Sequence, residues 1–120
     1  VDLEQVRVDL AALVEGCTPT TVAVYDRIVD QIAVPAVLVG WADPWIEPAT
    51  LCGDHWVRAE LLVVAGRIEP GDQIARLEQI VAAIIPKLSG YTIDRTSAPF
   101  RLQIAGVDYL AASIVVAVEN

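Results

Sequence analysis

The sequence predicts an α+β domain in which two helices cover one face of a largely antiparallel sheet. The expected order is α-β-β-β-α-β-β-β. Three observations carry this expectation. Apolar residues recur at helical spacing in only two segments, one opening the chain and one near residues 74–88. Alternating or continuous apolar runs of strand length come in two groups of three, one group before the second helix and one after it. Turn residues separate adjacent runs closely enough for antiparallel neighbours.

In the first segment Leu3, Val6, Leu10, Leu13 and Val14 form one stripe. Asp2 is placed to cap it, with Gln5 three residues on as a capping-box partner, and Gly16 is a plausible stop. Cys17 to Thr21 then reads as a short loop around Pro19. Val22 to Tyr25 reads as a short strand, and Asp26 to Val34 as irregular, with room for a turn or a short helical piece. Pro35 opens a strand from Ala36 to Trp41 that is apolar on both faces. Ala42 to Asp54 reads as a loop, because it holds Pro44, Pro48 and Gly53 with Asp43, Glu47 and Asp54.

His55 to Arg67 is the longest clear strand. Val57, Ala59, Leu61, Val63 and Ala65 share one wholly apolar face, expected to meet the helices. Trp56, Arg58, Glu60, Leu62 and Val64 share the other, which begins polar and ends apolar and suits partial cover by a neighbouring subunit. Glu69, Pro70, Gly71 and Asp72 signal a helix start, followed by Ile74, Leu77, Val81, Ile84 and Leu88 at spacings of 3 and 4. Pro86 should split that helix near its end, since it lacks a backbone donor. Tyr91 to Arg95 is a further strand candidate. Phe100 to Ile104 and Val107 to Val118 form a hairpin about Ala105-Gly106.

Composition bounds the function. The chain of 120 residues has room for one domain, residues 1–120. Its apolar share is 55%, or about 61% with the 7 glycines added, against roughly 45–50% in typical domains. Surplus of that kind is expected at contact surfaces. The longest strongly apolar stretch, Tyr109 to Val118, has ten residues, whereas a spanning helix needs about 20, so no membrane partner is expected. No basic segment followed by an apolar run opens the chain, so no signal peptide is expected. The net charge of −8 makes specific nucleic-acid binding a poor fit. That charge is uneven: −7 over residues 1–54 and −1 over residues 55–120.

Candidate chemistry is sparse. Cys52, Asp54 and His55 crowd within four residues, but a metal site needs further ligands and the chain has 1 histidine. Cys17 and Cys52 show no metal spacing; two cysteines leave a disulfide open, and reduced, buried thiols are the default expectation. Nothing places Cys17 beside His55, and Ser89, Ser97 and Ser113 lack the flanking pattern of a nucleophile. Asp43 and Glu47 lie in a Pro-rich segment where they share no helix face. No enzyme, no metal and no cofactor is the resulting expectation. The expected contact residues are Trp41, Trp45 and Ile46, where tryptophan supplies area at low entropic cost, with Arg58 and Glu60 on the sheet face.

Three blocks resemble a known family. Tyr25-Asp26-Arg27-Ile28-Val29-Asp30-Gln31-Ile32-Ala33-Val34-Pro35-Ala36-Val37-Leu38-Val39-Gly40 is similar to a block of the tail terminator proteins of long-tailed (siphovirus) actinobacteriophages. Leu62-Val63-Val64-Ala65-Gly66-Arg67, followed by a helix with Gln73 and Leu77, is similar to a second. Ile104-Ala105-Gly106-Val107-Asp108-Tyr109-Leu110-Ala111-Ala112 is similar to a third. Val29 and Val34 stand where the family often has Pro, and Ala105 replaces a Gly. The Trp-containing stretch has no counterpart in the resemblance.

The resemblance implies a fold similar to that of the lambda tail terminator and a homohexameric ring at the head–tail junction of the virion. Such a ring caps the tail tube, ends its polymerisation and meets the head-completion or stopper protein. Its partners would be further copies of itself, the major tail tube protein and that neck protein. DNA would pass through the lumen without specific binding, and an acidic wall has the sign such a conduit needs. Other readings are another head–tail connector or stopper subunit, a small enzyme or ligand-binding domain using the Cys52–His55 region, and a dimeric interaction module.

Overall fold

A computed structural model of the chain describes residues 2–18, 22–29, 31–48, 53–68 and 73–119. Helix α1 spans Leu3–Cys17, and the Asp2 carboxylate accepts from the Gln5 N–H at 3.0 Å, so the sequence-predicted cap forms. Strands β1 (Ala23–Tyr25), β2 (Ala36–Pro48) and β3 (His55–Arg67) follow. Helix α2 covers Gln73–Ile84 and passes into a 3₁₀ turn at Ile85–Lys87, so the helix splits at Pro86 as expected. Strands β4 (Thr92–Thr96), β5 (Phe100–Ile104) and β6 (Val107–Glu119) close the chain. The order is α-β-β-β-α-β-β-β, as the sequence predicts. The helix-start signal at residues 69–72 lies outside the described residues. No described helix is long and apolar enough to cross a membrane.

The six strands form one mixed sheet in the order β1-β2-β3-β6-β4, with β5 also paired to β6. Only β1 and β2 are parallel, so the sheet is largely antiparallel. Strand β6 holds β5 along Val107–Ala111 and β4 along Ile114–Ala117. Those two short strands therefore follow one another along the same edge. Strand β3 is central, flanked along its length by β2 and β6.

Both helices pack on one face. Val37, Val39, Ala59, Leu61, Val63, Ala65, Ala112, Ile114 and Val116 meet Leu10 and Val14 of α1 and Leu77, Ile80 and Ile84 of α2 there. The second face differs from the sequence expectation. Its apolar end does not wait for a neighbouring subunit. Ala36, Leu38, Leu62, Val64, Tyr109 and Ala111 are covered by Val29, Ile32 and Val34 from the segment between β1 and β2, and by Phe100, Leu102 and Ile104 of β5. A parallel pair needs a crossover, usually helical. Here the described part of the irregular segment 26–35 lies across the sheet face opposite the helices. The Tyr25 hydroxyl accepts from the Ala33 N–H at 3.1 Å and ties it down.

The Ala42–Asp54 loop is the second correction. Strand β2 continues to Pro48, and Ile46, Glu47 and Pro48 pair with Val57, Trp56 and His55. Pro44 is tolerated because Ala42–Trp45 bulge out between the pairs Trp41–Ala59 and Ile46–Val57, and Pro48 because it is the last residue of the strand. At the other end of the sheet, β5 and β6 are joined by Ala105 (φ 51°) and Gly106 (φ 81°), both left-handed, the geometry of a type I′ turn. A left-handed residue with a Cβ carries a strain of roughly 1–2 kcal/mol. Ala105→Asn, which favours this turn, should raise unfolding stability by about 0.5–1.5 kcal/mol in urea titrations at unchanged m-value. No gain would mean that the turn adapts to Ala without strain.

Candidate functional site

The expected contact residues gather at the end of the sheet away from the β5–β6 turn, but on opposite faces. Trp41 pairs with Ala59 and packs against the helix-side core. Trp45, in the bulge, sets its ring edge-on to Trp41 at 5.4 Å between centroids and 67° between planes. Trp45 remains 43% exposed although strand residues surround it. Ile46 shares the helix-side face through its pairing with Val57. The bulge therefore brings Trp41 and Trp45 together, and no loop is needed to do so.

Arg58 and Glu60 lie on the second face. Arg58 finds its partners inside the chain: Nη1 donates to Glu47 Oε1, and Nε lies 3.9 Å from Asp94 Oδ2. Asp94 also accepts from Arg95 Nη1 at 3.0 Å. Glu47 is positioned by the extension of β2, and Asp94 by the irregularity of β4 between Ile93 and Arg95. Neither was legible as an Arg58 partner, because both placements depend on strand irregularities. Glu60, two residues along β3, sits opposite Gly40 on β2 and Val115 on β6.

Arg58 is opposite Ala117, and both Ala117 and Val115 are buried on a face that carries no helix. Its aliphatic stem is suited to cover them while its head stays among carboxylates. The pair itself is worth little, since Glu47 and Asp94 are more than a third exposed.

Between the crossover and the β5–β6 hairpin lies an apolar hollow of about 660 Å³, lined by Ile28, Val29, Leu38, Leu62, Leu102 and Ile104 among others. The signal for it was present in the apolar residues of the crossover and in the alternation of β5. It could not be read because the crossover follows no period. Ile28 at its rim is 58% exposed.

Among the described residues the catalytic candidates do not assemble. His55 begins β3, Asp54 is exposed beside it, and Cys52 lies outside the described residues. Among the described residues no three His, Cys, Asp or Glu side chains are grouped as metal ligands. Cys17 ends α1, and its side chain is not among those described. Ser97 and Ser113 instead bond each other: Ser97 Oγ accepts from the Ser113 N–H at 2.9 Å, and the Ser97 N–H donates to the Ser113 carbonyl at 2.9 Å.

Three titrations are displaced, those of Asp26, Arg27 and Tyr91, Arg27 being raised by its bond to Asp26. A hydrogen bond from Arg27 holds the exposed Asp26 carboxyl below its ordinary range. A lowered carboxylate contributes stability above its ordinary pKa and loses it as pH falls through the lowered one. The partners are sequence neighbours, so the unfolded chain keeps much of the pair and little pH-dependent stability remains. Tyr91 is raised first by burial and then by the charge of Asp9.

Comparison with protein-family models and with curated proteins returns no match. The functional reading therefore rests on the residues themselves.

Arg58→Ala should destabilise the fold by about 1–2 kcal/mol, whereas Arg58→Met, which keeps a stem, should cost under about 1 kcal/mol. Equal losses in chemical denaturation would show that the charge, and not the packing, is what Arg58 supplies.

Proposed function

We propose that this chain is a structural subunit of a ring at the head–tail junction of a long-tailed bacteriophage. In this reading it acts as a tail terminator that caps the tail tube, ends tube growth and meets the head-completion protein. It catalyses nothing. The observation that carries the reading is a sheet with both lateral edges open and an exposed tryptophan at one end. On one side no described strand pairs with the outer edge of β2 beyond Leu38. On the other side β4 is exposed along its whole length. Open edges invite pairing with further chains unless they are covered. The three blocks similar to tail terminators add independent support, and they lie on the β1–β2 crossover, β3 with α2, and the β5–β6 hairpin.

Another connector or stopper subunit of the neck would use the same surfaces and differ only in its tube partner. A different reading, favoured by the hollow of about 660 Å³, is binding of a small apolar ligand, since such sites commonly span roughly 300–1,000 Å³. That reading expects a monomer whose melting temperature rises with apolar ligands.

Light scattering and negative-stain imaging, with the purified chain alone and with polymerising tail-tube protein, separate these readings. The terminator reading expects closed rings with a central hole, and tubes whose growth stops when the chain is added. A monomer that leaves tube growth untouched would rule it out. Rings that leave tube growth unchanged would favour a stopper. Trp45→Ala should lower ring yield while changing unfolding stability by no more than about 1.5 kcal/mol, since an aromatic pair contributes no more than that beyond its buried area.

A further inference from the structure

The two faces of the sheet are covered by different means. Helices α1 and α2, held by their own backbone bonds, cover one. On the other, Ala36, Leu38, Leu62 and Val64 lie under the segment between β1 and β2. Among the described residues, 27–29 and 31–34 of that segment make no backbone–backbone hydrogen bond. Each of them is half-buried or exposed, whereas Leu38, Leu62 and Val64 beneath are buried. Few backbone bonds and shallow burial place a segment at the low-stability end of a fold, where local opening precedes global unfolding.

One hydrogen bond and a set of apolar contacts hold this cover in place. Tyr25 ends β1 opposite Leu38 and packs against the second-face cluster. Its hydroxyl accepts from the Ala33 N–H at 3.1 Å, eight residues on, so the bond joins the start of the segment to a point near its end. Ile28 leans over Gly40, where a Cβ would come within 3.1 Å of Ile28 Cδ1. Ile28 also stands at the rim of the hollow of about 660 Å³ that Leu38 and Leu62 line. Val29, Ile32 and Val34 complete the cover.

We propose that this segment is a releasable strap, latched by the Tyr25 hydroxyl, that opens while the sheet and both helices stay folded. Opening offers Leu38, Leu62 and Val64 as an apolar surface, and closing withdraws them. The ladder does not depend on the strap: β2 is held along Ala36–Trp41 by β3, and β1 pairs with Ala36–Leu38. The helix-side core lies on the other face, and Phe100, Leu102 and Ile104 of β5 keep their own part of the second face covered. The strap is a property of one chain. It holds for a monomer as for a ring subunit and does not rest on the assembly reading.

Thiol labelling of the full chain tests this. Leu38→Cys places a thiol under the strap, and Leu61→Cys places one under the helices. Peptide mass spectrometry separates both from Cys17 and Cys52. The Leu38→Cys thiol should react at least about tenfold faster than the Leu61→Cys thiol, at a rate nearly independent of low urea, because local opening exposes little surface. Tyr25→Phe keeps the ring and removes the latch, so it should speed Leu38→Cys labelling by roughly two- to tenfold, the worth of one hydrogen bond. If thermal melts show that Leu38→Cys does not fold, Leu62→Cys, which lines the same hollow, takes its place. Equal rates for the two thiols, or a urea dependence as steep as that of global unfolding, would overturn the strap. Labelling unchanged by Tyr25→Phe would overturn the latch.

Discussion

Everything in this fold depends on burying β3 on both faces and along both edges. Its helix-side residues Ala59, Leu61, Val63 and Ala65 lie at most 1% exposed beneath α1 and α2. Burial of one such Val or Leu side chain is worth roughly 1.5–3 kcal/mol, so this row supplies a large part of the hydrophobic drive. Its second face holds Leu62 and Val64, which the helices cannot reach. The chain solves that with the irregular crossover between β1 and β2 and with the folding back of β5. A strand covered on both sides fixes register strongly, because a slip of one residue would exchange its two faces. That register in turn sets where Arg58 meets Glu47 and where the flanks of the sheet fall.

The element order was legible because it rests on periodicity. The stripe of α1, the alternation of β3 and the Ala105-Gly106 turn each have one reasonable interpretation. What was not legible followed no period. Pro44 and Pro48 punctuate Ala42–Pro48 as a loop would, yet a four-residue bulge carries the strand past Pro44, and Pro48 ends it. The crossover residues Val29, Ile32 and Val34 look like surface apolar residues in sequence, yet they roof Leu38 and Leu62. Some of the apolar surplus assigned to a partner is therefore consumed within the chain. The remainder among the described residues is narrower: it lies at Trp45, Ile28, Val8 and Ile74, and at Ile93 on the β4 edge.

Of the candidate contact residues, Trp41 and Trp45 come together as a pair, with Trp41 against the core and Trp45 exposed. Arg58 is engaged inside its own chain, so its role shifts toward holding β2, β3 and β4 together at the sheet end. Glu60 lies beside it without an ion-pair partner among the described residues. The charge asymmetry between the halves of the sequence acquired meaning only through topology. A sheet ordered β1-β2-β3-β6-β4 carries the acidic N-terminal part and the β4–β5 stretch, whose arginines pair with Asp94 and Asp108, to opposite edges. The same composition on an interleaved sheet would have mixed them.

The central claim is that further copies of this chain close the sheet edges left open by its own fold. Amide hydrogen exchange on the free chain and on the assembled particle tests it most directly. In the free chain, β3 should exchange slowly while the outer edges of β2 beyond Leu38 and of β4 and β5 exchange fast. In the assembly both outer edges should become protected together, with β3 unchanged. An assembled particle in which both edges exchange as fast as in the free chain would contradict the account.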